Sequence, residues 1–316
     1  MGPWFSKTEG PRYVDVDGLL FPQSFSADNV RYAMRMRPGD GDVVIAGFPN
    51  SGAKTVAIVL HLLASTRMLP SLAGGSTPPW TWSVPSVSEV TSLEVDVPLI
   101  EWKGKDVEQA PKPRMLRTHL PYSKLNINPQ ARYIYTLRNP KDCCAHAYED
   151  ATTFAVDYGF THGRFDDFLK MFLRGEVHGN DYFRHVASWW EHRGEPHVMC
   201  LVFEDLRMES RTLVDRVLSF INWPDAIENS RNAALMQEVL EHITCGPAHT
   251  RIMEVRMSGF APTTATDRQT ARISAAGFWK NYFTCGQSKR MDLAFQERTK
   301  DSEVARLWDE YNVFPS

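Results

Sequence analysis
A parallel β-sheet covered by helices, an α/β fold, is what this 316-residue sequence predicts. Three observations lead there. Strand-type runs rich in β-branched and aromatic residues recur at Val43–Gly47, Arg132–Leu137 and His197–Phe203. Helix-compatible segments follow them, and such alternation is the pattern of a parallel sheet with both faces covered. The first strand enters its helix through Phe48-Pro49-Asn50-Ser51-Gly52. In that order of elements, loop and first-turn N–H groups converge on an anion, and the helix dipole favours negative charge there.

Taken in order, residues 1–42 read as an irregular arm with a short helix near Ala27–Met34, closed by Arg37-Pro38-Gly39-Asp40-Gly41. Asp15-Val16-Asp17 and Asp40-Gly41-Asp42 read as turn acids, because neither continues into a calcium loop. Length, β-branching and the flanking turn make 43–47 a buried strand. Residues 53–65 read as a helix. Residues 66–97, rich in Ser, Pro, Thr and Gly, read as a long surface loop or lid. Arg114–Arg117 is a short strand running into Thr118-His119-Leu120-Pro121. After the strand 132–137, Pro140 opens a helix to about Asp150, with Asn139 as its cap. Phe165–Leu173 and Tyr182–Arg193 read as helices. The strand 197–203 precedes an amphipathic helix over 210–221, and 227–242 is helical. Residues 246–275 read as irregular, with 261–266 a mobile-loop candidate. Helices near 287–298 and 302–311 close the chain. The whole, 1–316, reads as one domain.

Composition narrows the function. A net charge of −3 gives no basic excess for nucleic acid or an anionic membrane, so a cationic site must be local. The longest strongly apolar stretch, near Thr55–Ala64, is too short to span a bilayer. Five cysteines, an odd number without a C-x-x-C pair, favour free thiols and a reducing, cytoplasmic setting. No zinc spacing and no G-x-S-x-G elbow occur.

The first loop is a poor fit to that of an ATP-binding kinase. Gly47 and Gly52 keep the spacing of G-x-x-x-x-G-K-[ST], but Ala53 stands where the lysine belongs. Lys54-Thr55 comes one residue late, which turns the ammonium by about 100° around the helix start. His119, at a strand end, is of the residue type that takes a proton from an acceptor hydroxyl near neutral pH. Arg138, between a strand and a helix, can fork onto a phosphate. Arg272 is a second, weaker clamp candidate. Glu204-Asp205 mimics a magnesium-holding strand end but reads better as acids in the first turn of the next helix.

Together these segments resemble the cytosolic sulfotransferases. Their loop Y-P-K-S-G-T-T-W is similar to Phe48–Thr55, and their K-T-H-L-P to Arg117-Thr118-His119-Leu120-Pro121. Their R-N-P-K-D stands intact at 138–142. Their late segment R-K-G-x-x-G-D-W-K-N-H-F-T is echoed from Arg272-Ile273-Ser274 to Thr284. The resemblance implies the P-loop-like sulfotransferase fold. It implies 3′-phosphoadenosine 5′-phosphosulfate (PAPS) as sulfuryl donor, the desulfated nucleotide PAP as product, and no obligatory metal. The acceptor would be a small phenol, catecholamine-like amine or lipophilic alcohol.

In that likeness His119 is the general base, and Arg117 and Lys54 are the nearby catalytic cations. Asn50, Ser51, Gly52, Ala53, Lys54 and Thr55 border the donor: backbone N–H groups of Ser51 to Lys54 hold the 5′-phosphate, Asn50 stands at the bridging oxygen and Thr55 at the adenine. Arg138, His146, Arg272, Ile273 and Ser274 border the 3′-phosphate, and Phe203 lies at the adenine. The 66–97 loop, the arm, Phe21, Phe25, Trp80, Trp82, Trp102 and Tyr148 are acceptor-pocket candidates.

Several positions depart from the pattern. The loop lysine is Asn50, the adenine-stacking tryptophan is Thr55, and the 3′-phosphate serine is His146, which protonated would still hold a phosphate. Ile273, Ser274, Phe203 and Cys245 replace further ligands. The dimer signature K-x-x-x-T-V-x-x-x-E reads Lys280, Thr284-Cys285 and Lys289, leaving monomer or homodimer open. Three functional readings follow: an active PAPS-dependent sulfotransferase, a relative with an eroded donor site that binds small ligands or catalyses weakly, or a P-loop kinase, which the missing lysine at position 53 opposes.

Overall fold
The computed structural model describes residues 10–65, 97–110, 112–245, 277–311 and 313–314. Its centre is a four-stranded parallel sheet of β3 (Val43–Gly47), β4 (Met115–Thr118), β5 (Arg132–Leu137) and β6 (Val198–Val202), in the spatial order β4-β3-β5-β6. Ile45 lies between Arg117 and Ile134, and Tyr135 pairs with Cys200.

The side-chain alternation of β3 divides the core. Val43 and Ile45 pack on one face with helices α2 (Ala53–Ser65), α9 (Ser210–Ile221), α10 (Pro224–Asn229) and α11 (Ala233–Cys245). Val44 and Ala46 pack on the other with α4 (Pro140–Thr153), α6 (Phe165–Arg174), α7 (Tyr182–Trp190) and α12 (Cys285–Thr299). All five residues of β3 are buried, which explains its unbroken apolar run. The chain leaves β3 toward β4 on one side, while β5 lies on the other. Ligands bind outside the carboxyl ends at such a switch point. The loop after β3 and Arg138 after β5 meet there.

The arm differs from expectation. Tyr13–Val16 (β1) and Leu19–Pro22 (β2) form an antiparallel hairpin ahead of helix α1 (Ala27–Arg35). Its turn is Asp17-Gly18, both at positive φ, a two-residue hairpin signal that the reading as turn acids only half recognised. Asp42 is a fully buried partner of Arg114, 2.7 Å away, and does more than shape a turn.

Three helix expectations also change. The 227–242 segment is two helices, α10 and α11, because Pro224 starts the first and Asn232 caps the second through side-chain bonds to Ala234 and Leu235. The 182–193 helix ends at Trp190. The 302–311 segment is two 3₁₀ turns, Glu303–Arg306 and Asp309–Tyr311. Helix α4 starts as expected: Pro140 is in its first turn and the Asn139 side chain accepts from Asp142 N at 2.8 Å. The predicted lid 66–97 lies outside the described residues apart from buried Val97. Among the described residues no helix is long and apolar enough to cross a membrane.

Candidate active site
The loop after β3 is closely fitted to its surroundings. Ser51 Oγ and Thr136 Oγ1 share a buried hydrogen bond of 2.9 Å, and a Cβ on Gly47 would sit 2.3 Å from both oxygens. Asn50 has φ of 67°, a left-handed conformation that asparagine tolerates. Gly52 has φ of 104°, and a Cβ there would lie 2.2 Å from the Phe203 ring. The loop therefore brings its backbone against Phe203 and opens directly into the first turn of α2. That is the geometry of an anion cradle. Asn50 Nδ2 donates to Asp150 Oδ2 at 3.0 Å, so the position of the family's loop lysine carries an amide tied to an acid.

Arg138 closes the other side. It is buried, its guanidinium lies 4.6 Å from the Phe203 ring centroid, and its Nη1 donates to Asn50 O at 3.4 Å. Its backbone is pinned by the Tyr182 hydroxyl, which donates to Arg138 O at 2.5 Å. Asp142 takes Gly277 N at 2.9 Å and Trp279 N at 2.8 Å, which anchors the late segment to the start of α4. Arg272, Ile273 and Ser274, and the mobile-loop candidate at 261–266, lie outside the described residues.

The Glu204-Asp205 pair falls in the first turn of a separate short helix, α8 (Phe203–Met208), which starts where the strand ends at Val202, ahead of the helix expected at 210–221. Glu204 also accepts from Asn139 Nδ2 at 2.7 Å and from Trp308 Nε1 at 2.9 Å. It is a structural clamp between strand end and C-terminal region.

His146 corrects one expectation. It is buried, stacked on Phe278 at 4.6 Å, and its Nε2 has no hydrogen-bond partner. Burial first, and the Arg138 charge second, hold its pKa well below the ordinary histidine range. The ring is therefore neutral near pH 7 in this structure and adds no cation for a phosphate.

His119 follows β4 and is only partly buried. Its Nδ1 lies 2.9 Å from Gly47 O. A carbonyl only accepts, so Nδ1 carries the proton and Nε2 carries the lone pair. His185 is set by the same logic: Nε2 donates to His119 O at 3.0 Å, and Nδ1 accepts from the Tyr135 hydroxyl at 3.0 Å. Burial lowers its pKa to about 4, so it holds the strand end as a neutral group.

Glu101, on the short helix α3 (Ile100–Lys103), is fully buried beneath this strand end. Its Oε1 accepts from His119 N at 2.6 Å and from Thr118 Oγ1 at 2.8 Å. Burial pushes its pKa up to about 6, opposed by these bonds and by the Arg117 charge. Arg117 itself is buried, with Nε donating to Val97 O at 2.8 Å.

The strand ends thus bring together Asn50–Thr55, His119, Arg138 and Phe203. Phe21, Phe25 and Trp102 gather beside His119: Phe25 lies 5.2 Å from Trp102, Phe21 lies 5.3 Å from His178, and His178 lies edge-on 5.6 Å from His119. Tyr148 instead packs against Phe165, Phe168 and Tyr282. Trp80 and Trp82 lie outside the described residues. Glu101, Asp150, His178 and His185 were not singled out as site residues from sequence. Glu101 sits in a four-residue helix with no periodic pattern to find.

The chain is similar to known proteins over most of its length. Residues 40–303 match the sulfotransferase domain family. An amine sulfotransferase of Oryctolagus cuniculus is 26% identical over 275 residues, covering 85% of this chain and 84% of the relative. Sulfotransferase 1A1 of Rattus norvegicus is 25% identical, covering 93% and 96%. The crystal structure of mouse sulfotransferase SULT7A1 complexed with PAP aligns with a TM-score of 0.66 at 21% identity, covering 95% of this chain and 98% of that one. The fold is that of the sulfotransferases, and with the family match spanning 40–303 this chain belongs to the sulfotransferase domain family.

Proposed function
We propose that this sulfotransferase transfers the sulfuryl group of PAPS to a hydroxyl or amine of a small acceptor, with His119 as general base. The observation that carries the reading is the His119 tautomer. Its Nδ1 proton is committed to Gly47 O, at the end of the strand that opens the anion loop, which puts the basic lone pair on Nε2. The match of residues 40–303 and the PAP bound in the mouse relative support the same donor.

The cradle fits such a nucleotide on its own chemistry. The N–H groups of Ser51 to Lys54 suit the 5′-phosphate. Arg138, stacked on Phe203 beside the loop, suits the 3′-phosphate. PAPS when bound supplies an activated sulfuryl group whose sulfur–oxygen bond breaks as the bond to the acceptor oxygen forms. His119 takes the acceptor proton at Nε2. Glu101 and His185 hold the His119 backbone from both sides, and Arg117 and Lys54 are the candidate cations to offset charge on the departing oxygen. Asn50 cannot supply that cation. Losing a preorganised donor of this kind costs on the order of 10²–10³ in rate, so a slow enzyme is the form this reading takes.

A His119→Ala protein should bind PAP as the parent does while losing sulfuryl transfer by at least about 10²-fold, the scale of a general base. Retained turnover would refute the base assignment. The eroded-binder reading has its own support in Asn50, whose amide is bonded to an acid. It is favoured if PAP fails to bind at millimolar concentration.

A further inference from the structure
The sheet has an open edge at β6. It is the outermost strand, and among the described residues no strand pairs with its outer side. Tyr133 N donates to His197 O at 2.8 Å, and the parallel pairing runs on from Tyr133 opposite Val198 to Leu137 opposite Val202. Parallel strands bond through alternate residues, so Met199 and Leu201 turn their backbone groups toward β5. The N–H and C=O of Cys200 point the other way, off the edge. Met199, Cys200 and Val202 are only partly buried, whereas all five residues of β3 are buried.

A groove of about 390 Å³ runs along this edge, and each lip carries an aromatic ring and an arginine. On one lip, Phe220 and Arg216 belong to α9, and Phe220 packs on the same core cluster as Met199. On the other, Trp190 ends α7 and packs on the same cluster as Cys200, with the Arg193 guanidinium 5.0 Å from its ring centroid. Arg216 is exposed and has no partner among the described residues. Arg193 pairs at 2.6 Å with the exposed Glu303, a surface pair that a competing carboxylate can replace. Arg132 adds a third guanidinium, 5.8 Å from the Phe220 ring centroid. The acid of the lining, Asp205, accepts from the Tyr311 hydroxyl. The groove is therefore locally basic in a chain of net charge −3.

We propose that this edge docks an extended acidic segment of a partner protein as an added strand. The segment's backbone pairs with the N–H and C=O of Cys200. Side chains of a strand alternate between its faces, so two adjacent apolar residues followed by two adjacent acids present one of each to either lip. The apolar pair covers Phe220 and Trp190, and the acids meet Arg216 and Arg193. The open edge from Val198 to Val202 is about 13 Å long, the reach of such a four-residue motif. A second copy of β6 fits poorly, because pairing two such edges brings their arginines together. Docking here leaves the cradle at the strand carboxyl ends untouched and holds whether or not sulfuryl transfer does.

Fluorescence anisotropy on the full-length protein tests this with a labelled hexapeptide, SIVEES, and its basic counterpart SIVKKS. SIVEES is expected to saturate and to bind at least about tenfold tighter than SIVKKS. Arg216→Glu, a change at an exposed side chain, should weaken SIVEES at least about fivefold and strengthen SIVKKS. Every second amide of an added strand faces the edge, so N-methylating the valine and the first glutamate in turn should abolish binding in one peptide and spare it in the other. No saturation by SIVEES, equal affinities for the two peptides, or parental affinity in Arg216→Glu would overturn the inference. Parental binding by both N-methylated peptides would also overturn it, since charge attraction alone would then account for the complex. Sedimentation showing a dimer that Arg216→Glu dissociates would assign the edge to a second copy and overturn it likewise.

Discussion

Glu101 gives the sharpest energetic prediction. It is fully buried, its pKa is pushed up to about 6 from an ordinary 4.5, and burial is the main cause. A carboxyl whose pKa is raised on folding binds its proton more tightly in the native state. Its charge therefore costs stability above pH 6, and that cost is relieved as pH falls toward 4.5. A rise from 4.5 to about 6 corresponds to about 2 kcal/mol in full, of which about 1 kcal/mol is relieved by pH 5.

Glu101→Gln removes the charge and keeps an oxygen to accept from His119 N and Thr118 Oγ1. The new amide NH₂ replaces Oε2, which is enclosed and has no partner, and any cost of that exchange is the same at every pH. Urea unfolding of parent and variant at pH 8 and pH 5 isolates the charge. The variant should gain on the parent by about 1 kcal/mol more at pH 8 than at pH 5. Glu101→Ala should instead lose stability at both, because two buried donors lose their acceptor at about 1–3 kcal/mol each. An identical parent-to-variant difference at pH 5 and pH 8 would show that the buried charge carries no such cost.

Two further perturbations probe the cradle. Gly52→Ala places a methyl 2.2 Å from the Phe203 ring at a φ of 104°, so PAP affinity should fall at least tenfold and stability by about 1–3 kcal/mol. An alanine variant with parental affinity and melting temperature would contradict the fitted loop. Asn50→Lys restores a cation beside Asp150, and turnover with PAPS should rise on the order of tenfold despite roughly 1 kcal/mol of left-handed backbone strain. Steady-state rates measure it, and an unchanged or lower rate would show that the missing cation does not limit the reaction.

What the sequence made legible was local in the chain. Val43–Gly47 followed by a Pro/Asn/Ser/Gly loop and a helix is a contiguous pattern, and the structure places it at the switch point of the sheet. Asn139 and Pro140 announced the start of α4 for the same reason, through cap chemistry three residues wide. Contacts between distant segments stayed hidden. Glu101 reaches His119 across 18 positions, and Asn50 reaches Asp150 across 100. No period or spacing encodes either. His146 was read by residue type as a latent cation, but desolvation decides its charge, and burial is a property of the folded chain. The hairpin at 13–22 was in reach of a stricter reading, since Asp17-Gly18 between apolar pairs is a turn signal in its own right.

Titration of the full-length protein with PAP by calorimetry tests the account most directly. The loop of Asn50–Thr55, Arg138 over Phe203 and the late segment anchored by Asp142 together predict saturable one-to-one binding with a micromolar dissociation constant. Absence of heat with millimolar PAP would contradict it and leave the chain a sulfotransferase fold that no longer holds the donor.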